Sequence, residues 1–164
     1  MAVEPSRIDA PDTFTALSVG ASHACAVGRA GAAHCWGDNQ FGQLGVGAAG
    51  AVREVPAPVD SPHPFASISA GANHSCAVTV TGEAYCWGQN TFGQLGDGST
   101  VDAHAPVAVE SSVQFVELDA IGSHTCGRTG GGAILCWGNN LEGQLGDGTR
   151  SHRTRPVEVG PSDT

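Results

Sequence analysis

The chain has 164 residues, of which 24 are glycine, and sixteen acidic residues oppose seven arginines with no lysine, so that its formal net charge is −9. A nucleic-acid-binding surface must be cationic to neutralise phosphates, so this composition excludes nucleic acid and an anionic membrane surface as expected partners. The sequence contains no run of 18 apolar residues, so it predicts no membrane-spanning helix. Residues 1–7 lack the apolar core of a signal peptide.

One segment, Cys-Trp-Gly-x-Asn-x-x-Gly-Gln-Leu-Gly, occurs three times, at intervals of 51 and 50 residues. Such a period predicts a repeat architecture, in which one unit cannot bury its own apolar face and must stack on its neighbours. The sequence therefore divides into an N-terminal extension over 1–13, repeats over 14–64, 65–114 and 115–160, and a tail over 161–164.

The second repeat shows the pattern of one unit most clearly. A short strand precedes Gly71, an alternating strand runs over 74–80, and a turn over 81–83 leads into a second strand over 84–88. A glycine-rich loop follows, and the unit closes on a strand whose Pro106 suits a sheet edge. Four-stranded units of this length are typical of β-propeller blades. We therefore expect an all-β fold of three four-stranded antiparallel repeats, arranged as an incomplete ring or open arc.

Each repeat carries two cysteines at the same separation, and they should face each other across the predicted hairpin. Facing cysteines on antiparallel strands can form a disulfide, although buried reduced thiols and a metal site are alternatives. The preferred pairing indicates an oxidising compartment, so we expect an extracellular or cell-surface protein. The predicted pairs are Cys25 with Cys35, Cys76 with Cys86, and Cys126 with Cys136.

A histidine stands two residues before the first cysteine of each repeat, at His23, His74 and His124. Histidine with two cysteines could bind zinc, but the closely spaced cysteine pairs of structural zinc sites are absent from the sequence. A packed, hydrogen-bonded histidine explains the recurrence better, and we expect neither a metal nor another cofactor.

Two further patterns invite a chemical interpretation that we do not favour. The Gly-Asp-Gly turns at Asp97 and Asp147 each offer one carboxylate, which is too few ligands for calcium. Ser75 adjoins His74 on a strand, so the two side chains point to opposite faces and cannot act as nucleophile and base. The sequence therefore predicts no enzyme.

The repeat pattern resembles the regulator of chromosome condensation repeat. The resemblance rests on Phe-x-x-Ile-x-Ala-Gly-x-x-His-Ser-Cys-Ala-Val followed by Gly-x-x-Tyr-Cys-Trp-Gly-x-Asn-x-x-Gly-Gln-Leu-Gly-Asp-Gly, and it spans residues 14–160. The cysteine-bearing form is similar to the bacterial branch of that family. The family implies a propeller that usually has seven blades, and three repeats cannot close such a ring. Residues 1–4 resemble 107–110, so the chain is predicted to begin with the last strand of a preceding blade.

These features predict a non-catalytic module that mediates protein–protein interaction through a partner of unknown identity. Phe41 and Phe92, in the loop after each tryptophan, are candidate contacts, although both could instead pack under their own loop. The alternatives are a structural or assembly segment of a larger secreted or surface propeller protein, an inhibitor of a secreted enzyme, and, by analogy with the family, guanine-nucleotide exchange. The missing blades would come from homo-oligomerisation or from a longer chain.

Overall fold

The computed structural model describes residues 7–8 and 12–160, and this part of the chain consists of strands, turns and loops. The candidate preceding-blade strand over 1–4 and the tail over 161–164 lie outside the described residues. No helix that could cross a membrane occurs in the described part. The twelve strands are β1 Phe14–Val19, β2 His23–Gly28, β3 Ala33–Gly37, β4 Arg53–Pro58, β5 Phe65–Ala70, β6 His74–Thr79, β7 Ala84–Gly88, β8 Ala103–Ala108, β9 Phe115–Ile121, β10 His124–Thr129, β11 Ile134–Gly138 and β12 Arg153–Glu158.

The strands form three separate four-stranded antiparallel sheets, each paired in chain order, and we call them blade 1 (β1–β4), blade 2 (β5–β8) and blade 3 (β9–β12). The predicted all-β repeat fold is confirmed, and the three sheets do not close into a ring. The closing strand is an edge strand in each blade, which explains why it tolerates a proline: Pro56, Pro106 or Pro156.

The central hairpin of each blade places its two cysteines directly opposite each other, as in the Cys76–Cys86 register of β6 and β7. The structure joins all three pairs as disulfides, with a Cα separation of 4.1 Å in each. Each disulfide closes a short loop of 10 residues, so it removes little chain entropy and mainly fixes the strand register.

The loop after each tryptophan is organised by the asparagine of the repeated segment. In blade 2 the Asn90 side-chain carbonyl accepts a hydrogen bond from the Leu95 amide, and its amide group donates to the Asp97 carboxylate and the Val101 carbonyl. Asp97 in turn accepts a hydrogen bond from the Ser99 amide. The aspartate thus stabilises a turn.

The hydrophobic core lies between the blades rather than within any one of them. The first core joins Val27 and Leu44 of blade 1 to Ile68 and Trp87 of blade 2, and a second core repeats this arrangement between blades 2 and 3. Each sheet therefore buries its faces only by stacking on the next sheet.

The closing glycine of Gly-Gln-Leu-Gly is part of this stacking. Gly45 and Gly96 have φ values of +68° and +71°, and a Cβ at either position would collide with the indole of Trp87 or Trp137 in the next blade. Glycine is required there both for the left-handed backbone and for the close approach of the indole. The repeated segment is thus the connection between successive blades.

Core packing of this kind predicts a difference between two equivalent leucines. Leu118→Ala should lower the free energy of unfolding by about 3 kcal/mol, because Leu118 is buried between blades 2 and 3. Leu17→Ala, at the same position of blade 1, should change it by less than about 0.5 kcal/mol because Leu17 is exposed. Urea denaturation of the oxidised proteins measures both, and equal losses would contradict the assignment of the core to the blade interfaces.

Candidate functional site

Each blade has two faces, which we name by their neighbours. The front face meets the preceding blade; in blade 2 it carries Ile68, Ala77 and Trp87. The rear face meets the following blade; in blade 2 it carries Cys76 and Val78. Two faces of the arc have no blade against them in the described structure, namely the front of blade 1 and the rear of blade 3. These two faces are the candidate functional surfaces. The two internal interfaces show how a face of this kind packs against a neighbouring blade.

A buried chain of hydrogen bonds crosses each internal interface. His23 Nε2 of blade 1 lies 2.8 Å from Ser75 Oγ of blade 2, and that hydroxyl lies 2.8 Å from the Gln43 carbonyl of blade 1. The second interface repeats the arrangement with His74 and Thr125, at 2.8 Å, where the Thr125 hydroxyl lies 2.9 Å from the Gln94 carbonyl. We call this arrangement the histidine–hydroxyl relay.

The relay fixes the protonation of its histidines. A carbonyl can only accept, so the Ser75 hydroxyl donates to Gln43 and must accept from the Nε2–H of His23. The Nδ1 atoms of His23 and His74 are buried and have no hydrogen-bond partner among the described residues. Protonation would place a charge and an unpaired N–H in the core, so burial lowers the pKa of His23 to about 4 and that of His74 to about 3.

Surrounding charges modify these pKa values in opposite directions. The carboxylate of Asp38 opposes part of the lowering at His23, whereas His23 and His124 add to it at His74. Burial also lowers the pKa of His124. The internal relay histidines are therefore neutral structural groups throughout the physiological pH range.

A histidine next to a serine hydroxyl also suggests a hydrolytic dyad, but the geometry argues against one. His23, Ser75 and Gln43 are buried at 3% or less exposure, so a substrate has no access to the hydroxyl. The hydroxyl proton already points to a backbone carbonyl. His74 and Ser75, adjacent in sequence, bond to blades on opposite sides of their sheet, as strand geometry requires.

Backbone groups add to the contact between blades. The amides of Ala70 and Ala120 donate to the hydroxyls of Ser18 and Ser69 in the preceding blade, at 3.0 and 2.9 Å. The amides of Gly47 and Gly98 donate to carbonyls in the last strand of the next blade, both at 2.9 Å. An internal interface is thus an apolar contact bordered by a repeated set of hydrogen bonds.

The uncovered front of blade 1 exposes aliphatic side chains that the other blades bury. Leu17 and Val19 are 64% and 70% exposed, whereas Ile68 and Ala70 at the same positions of blade 2 are 9% and 7% exposed. Trp36 is partly exposed, whereas its two counterparts are fully buried. This face is half of a blade interface, and contiguous exposed apolar residues of this kind mark interaction surfaces.

The uncovered rear of blade 3 is different in character. Arg128 stands where blades 1 and 2 have Val27 and Val78, and it pairs with Glu117 at 3.1 Å. Asp119, also exposed, replaces the serine of the other blades. The rear of blade 3 is therefore charged where the two internal rear faces are apolar or neutral.

The predicted contact residues lie elsewhere. Phe92 is partly buried, and its ring meets the His152 ring of blade 3 edge-on at a centroid distance of 5.0 Å. Phe41 is also partly buried, in the loop of blade 1 that packs on β8 of blade 2. Their role in binding a partner stays a prediction, but neither contributes to the uncovered front of blade 1.

Two arginines near the C-terminus form ion pairs. Arg153 lies 2.6 Å from the Asp147 carboxylate, and Arg155 lies 2.9 Å from Glu110 of blade 2. Hydrogen bonds from Thr149, Arg153 and Asn140 outweigh burial and lower the pKa of Asp147 to about 2. Within 7–8 and 12–160, no group of three or more histidine, cysteine or acidic side chains is placed to hold a metal ion.

The front-face residues Leu17, Val19 and Ala24 were not singled out from the sequence, nor was the Thr125 hydroxyl, and Ser75 was considered only as a nucleophile. The signal that could have found them is the alignment of the three repeats. Ala24 stands where the other copies have Ser75 and Thr125, and this difference becomes meaningful only once the hydroxyl is seen to accept from the preceding blade.

Two family models match the chain, both described as Regulator of chromosome condensation (RCC1) repeat; one covers residues 14–43 and 65–94, the other 30–78 and 81–128. The chain belongs to this family. Among curated proteins, the rat "Probable E3 ubiquitin-protein ligase HERC4" is 36% identical over 92 residues, which are 55% of this chain and 9% of HERC4. The chain thus spans about a tenth of that relative. Other matching relatives come from mouse, human and Arabidopsis thaliana, so the comparisons do not bear out the bacterial placement.

Solved structures show the same fold. Prp20p from Saccharomyces cerevisiae superposes with a TM-score of 0.83 at 22% identity, covering 92% of this chain and 39% of Prp20p. Human WBSCR16 gives a TM-score of 0.85 at 21% identity, covering 96% of this chain and 44% of that protein. The three blades therefore correspond to less than half of each RCC1-like propeller.

Removing the hydroxyl of the relay should destabilise the protein. Ser75→Ala and Thr125→Val each leave a buried histidine N–H unpaired, and Thr125→Val also leaves the Gln94 carbonyl without its donor, whereas the Gln43 carbonyl still accepts from the Trp87 indole N–H. Each change should lower the free energy of unfolding by about 1–3 kcal/mol. Ala24→Ser, at the same position on the uncovered face, is the matched control and should have an effect within about 0.5 kcal/mol. Chemical denaturation measures all three, and a neutral effect of both hydroxyl deletions would contradict a structural role for the relay.

The relay also predicts loss of stability in mild acid. Because the folded pKa values of His23 and His74 lie below the unfolded value of about 6.5, the unfolded state takes up protons first as the pH falls. Stability is complete above pH 6.5 and should fall by about 1.4 kcal/mol per pH unit for each histidine, down to about pH 4 for His23 and about pH 3 for His74.

Denaturation between pH 7.5 and 4.5 separates the histidine effect from that of Asp147, which loses its contribution only as the pH falls from its ordinary range towards 2. His124, whose pKa burial also lowers, adds to the slope in the same direction. His74→Gln should reduce the slope by one histidine. A wild-type stability that is flat over this range, or an unchanged slope in the variant, would contradict the assignment.

Proposed function

We propose that this chain is a non-catalytic repeat module that binds another protein through the front face of blade 1. The observation that carries the proposal is the exposure of Leu17 and Val19 at positions that the other two blades bury. An exposed aliphatic surface with an adjacent tryptophan has the composition of an interface centre, where aromatic and aliphatic groups provide most of the binding energy.

Relatives support interaction with proteins as the general role. Prp20p has binding properties to Gsp1p and histones, and yeast RCC1 has been solved with Kap60 bound to it. The matched part of HERC4 is a small share of a protein named as a ubiquitin ligase. For this chain, the burial of both histidine–hydroxyl pairs of the relay favours a binding role over a catalytic one.

A second candidate is a structural segment of a larger propeller protein, in which the front of blade 1 is covered by a blade of the same assembly. Its support is that the two internal interfaces already show such a contact. Three disulfides are compatible with a secreted or cell-surface location for either role. Inhibition of a secreted enzyme and nucleotide exchange have no specific support from the described residues.

A photo-crosslinking amino acid in place of Leu17 tests the proposed surface. In an extract of the source organism it should capture a protein, whereas the same amino acid in place of Val80 should not. Val80 is the matched control because it is 65% exposed, as Leu17 is at 64%, but lies at a hairpin turn away from the front face.

Competition then shows whether the capture is specific. Excess wild-type chain should abolish capture, and a Leu17→Arg competitor should be at least about tenfold weaker, because docking would bury an unpaired guanidinium. Equal capture at both positions would refute the proposal. Concentration-dependent assembly in sedimentation, without capture of another protein, would favour the structural role instead.

A further inference from the structure

We propose that Ala24, Glu117 and Arg128 determine what can dock on the front of blade 1. The partner is the aliphatic rear face of a four-stranded repeat blade that carries no histidine at the relay position, and blade 3 of a second copy is rejected. This inference rests on the proposed function for the location of the surface, and it adds the chemistry that selects the partner.

The front of blade 1 lacks the acceptor of the relay. At both internal interfaces the histidine of one blade donates to a hydroxyl of the next, at 2.8 Å. Ala24 occupies the hydroxyl position in blade 1 and offers only a methyl group. A blade with a relay histidine docked here would bury its Nε2–H against that methyl group without an acceptor, a costly loss for a buried polar group.

The uncovered rear face of blade 3 does not fit this front face. Blade 3 carries its own relay histidine, His124, which Ala24 cannot satisfy. Its Arg128–Glu117 pair, with side chains 50% and 63% exposed, would be pressed against Leu17 and Val19. Burying an ion pair in an apolar contact loses more hydration than the pair regains. The two uncovered faces of the chain therefore do not fit each other, for two reasons. The His124 N–H would lack an acceptor, and an ion pair would be buried against aliphatic side chains.

The outer part of the front face is aliphatic as well. Val52 and Val55 are 61% and 63% exposed and stand where blade 3 has His152 and Arg155. Arg155 reaches back to Glu110 of the preceding blade, so an internal interface includes an ion pair at this point. Blade 1 has a valine there and requires no carboxylate from its partner. The partner surface that fits is aliphatic at its edge as well as at its centre.

Full-length variants of this chain can serve as defined partners. Each donor carries Leu17→Arg, which blocks its own front face, together with Glu117→Ala, Asp119→Ser and Arg128→Val, which give its rear face the residues of blade 1. One donor retains His124 and the other adds His124→Val. The receivers are the wild-type chain, Ala24→Ser, and Leu17→Arg as the blocked control. Isothermal titration of every receiver with each donor gives the binding constants.

The wild-type receiver should bind the His124→Val donor at least about tenfold more tightly than the donor that retains His124, because only the latter buries an unpaired N–H. Ala24→Ser should reverse this preference by restoring the acceptor. The Leu17→Arg receiver should bind neither donor, and sedimentation of the wild-type chain alone should show no self-association.

The proposal is overturned if the wild-type receiver binds both donors equally, if Ala24→Ser leaves the preference unchanged, or if Leu17→Arg does not impair binding. Self-association of the wild-type chain as tight as donor binding would overturn it as well. Thermal unfolding checks that each donor is folded. A second donor pair, which omits Asp119→Ser, repeats the comparison of donors with and without His124. Because the donors are defined proteins, the titration does not depend on capture of a natural partner. Failure of the titration can therefore be distinguished from failure of the crosslinking experiment that tests the proposed function.

Discussion

The structure depends on one constraint: a four-stranded sheet of this size cannot bury either of its faces by itself. The large apolar side chains of Trp87, Trp137 and Leu118 are each buried against a neighbouring blade. Stability is therefore a property of the interfaces, as in other repeat proteins. The disulfides mainly fix the register of each hairpin, and among the three described blades two faces have no blade against them.

The histidine–hydroxyl relay adds specificity to this otherwise apolar contact. Aliphatic packing tolerates small shifts of one sheet on another, whereas a hydrogen bond between His74 and Thr125 is made at one position only. Nδ1 of each internal relay histidine is buried without a partner among the described residues, so protonation would bury both a charge and an unpaired N–H, and the neutral histidine is favoured. The same groups that align the blades consequently make the interfaces sensitive to acid.

Much of the fold could be predicted from the sequence because the repeats are nearly identical where they serve the scaffold. The hairpin, the position of Cys76 opposite Cys86 and the edge proline follow from the spacing of residues within one repeat. The candidate site could not be predicted in this way. Contacts between blades join residues about 50 positions apart, as in the bond from His23 to Ser75, and one repeat does not reveal which neighbour a side chain faces.

That limit also explains why the candidate site lies away from the predicted aromatic residues. Phe41 and Phe92 differ from the third repeat and stand in loops, which makes them plausible contacts, yet the loop of each packs on the next blade. Leu17 looks ordinary in the sequence because Ile68 and Leu118 match it in size. What distinguishes Leu17 is the absence of a described blade in front of it, so the surface is created by the position of a blade in the arc. The selectivity that we propose for that surface depends on single residues that depart from the repeat. Ala24 lies on the surface itself, and Arg128 lies on the rear of blade 3, where it disfavours docking of a second copy.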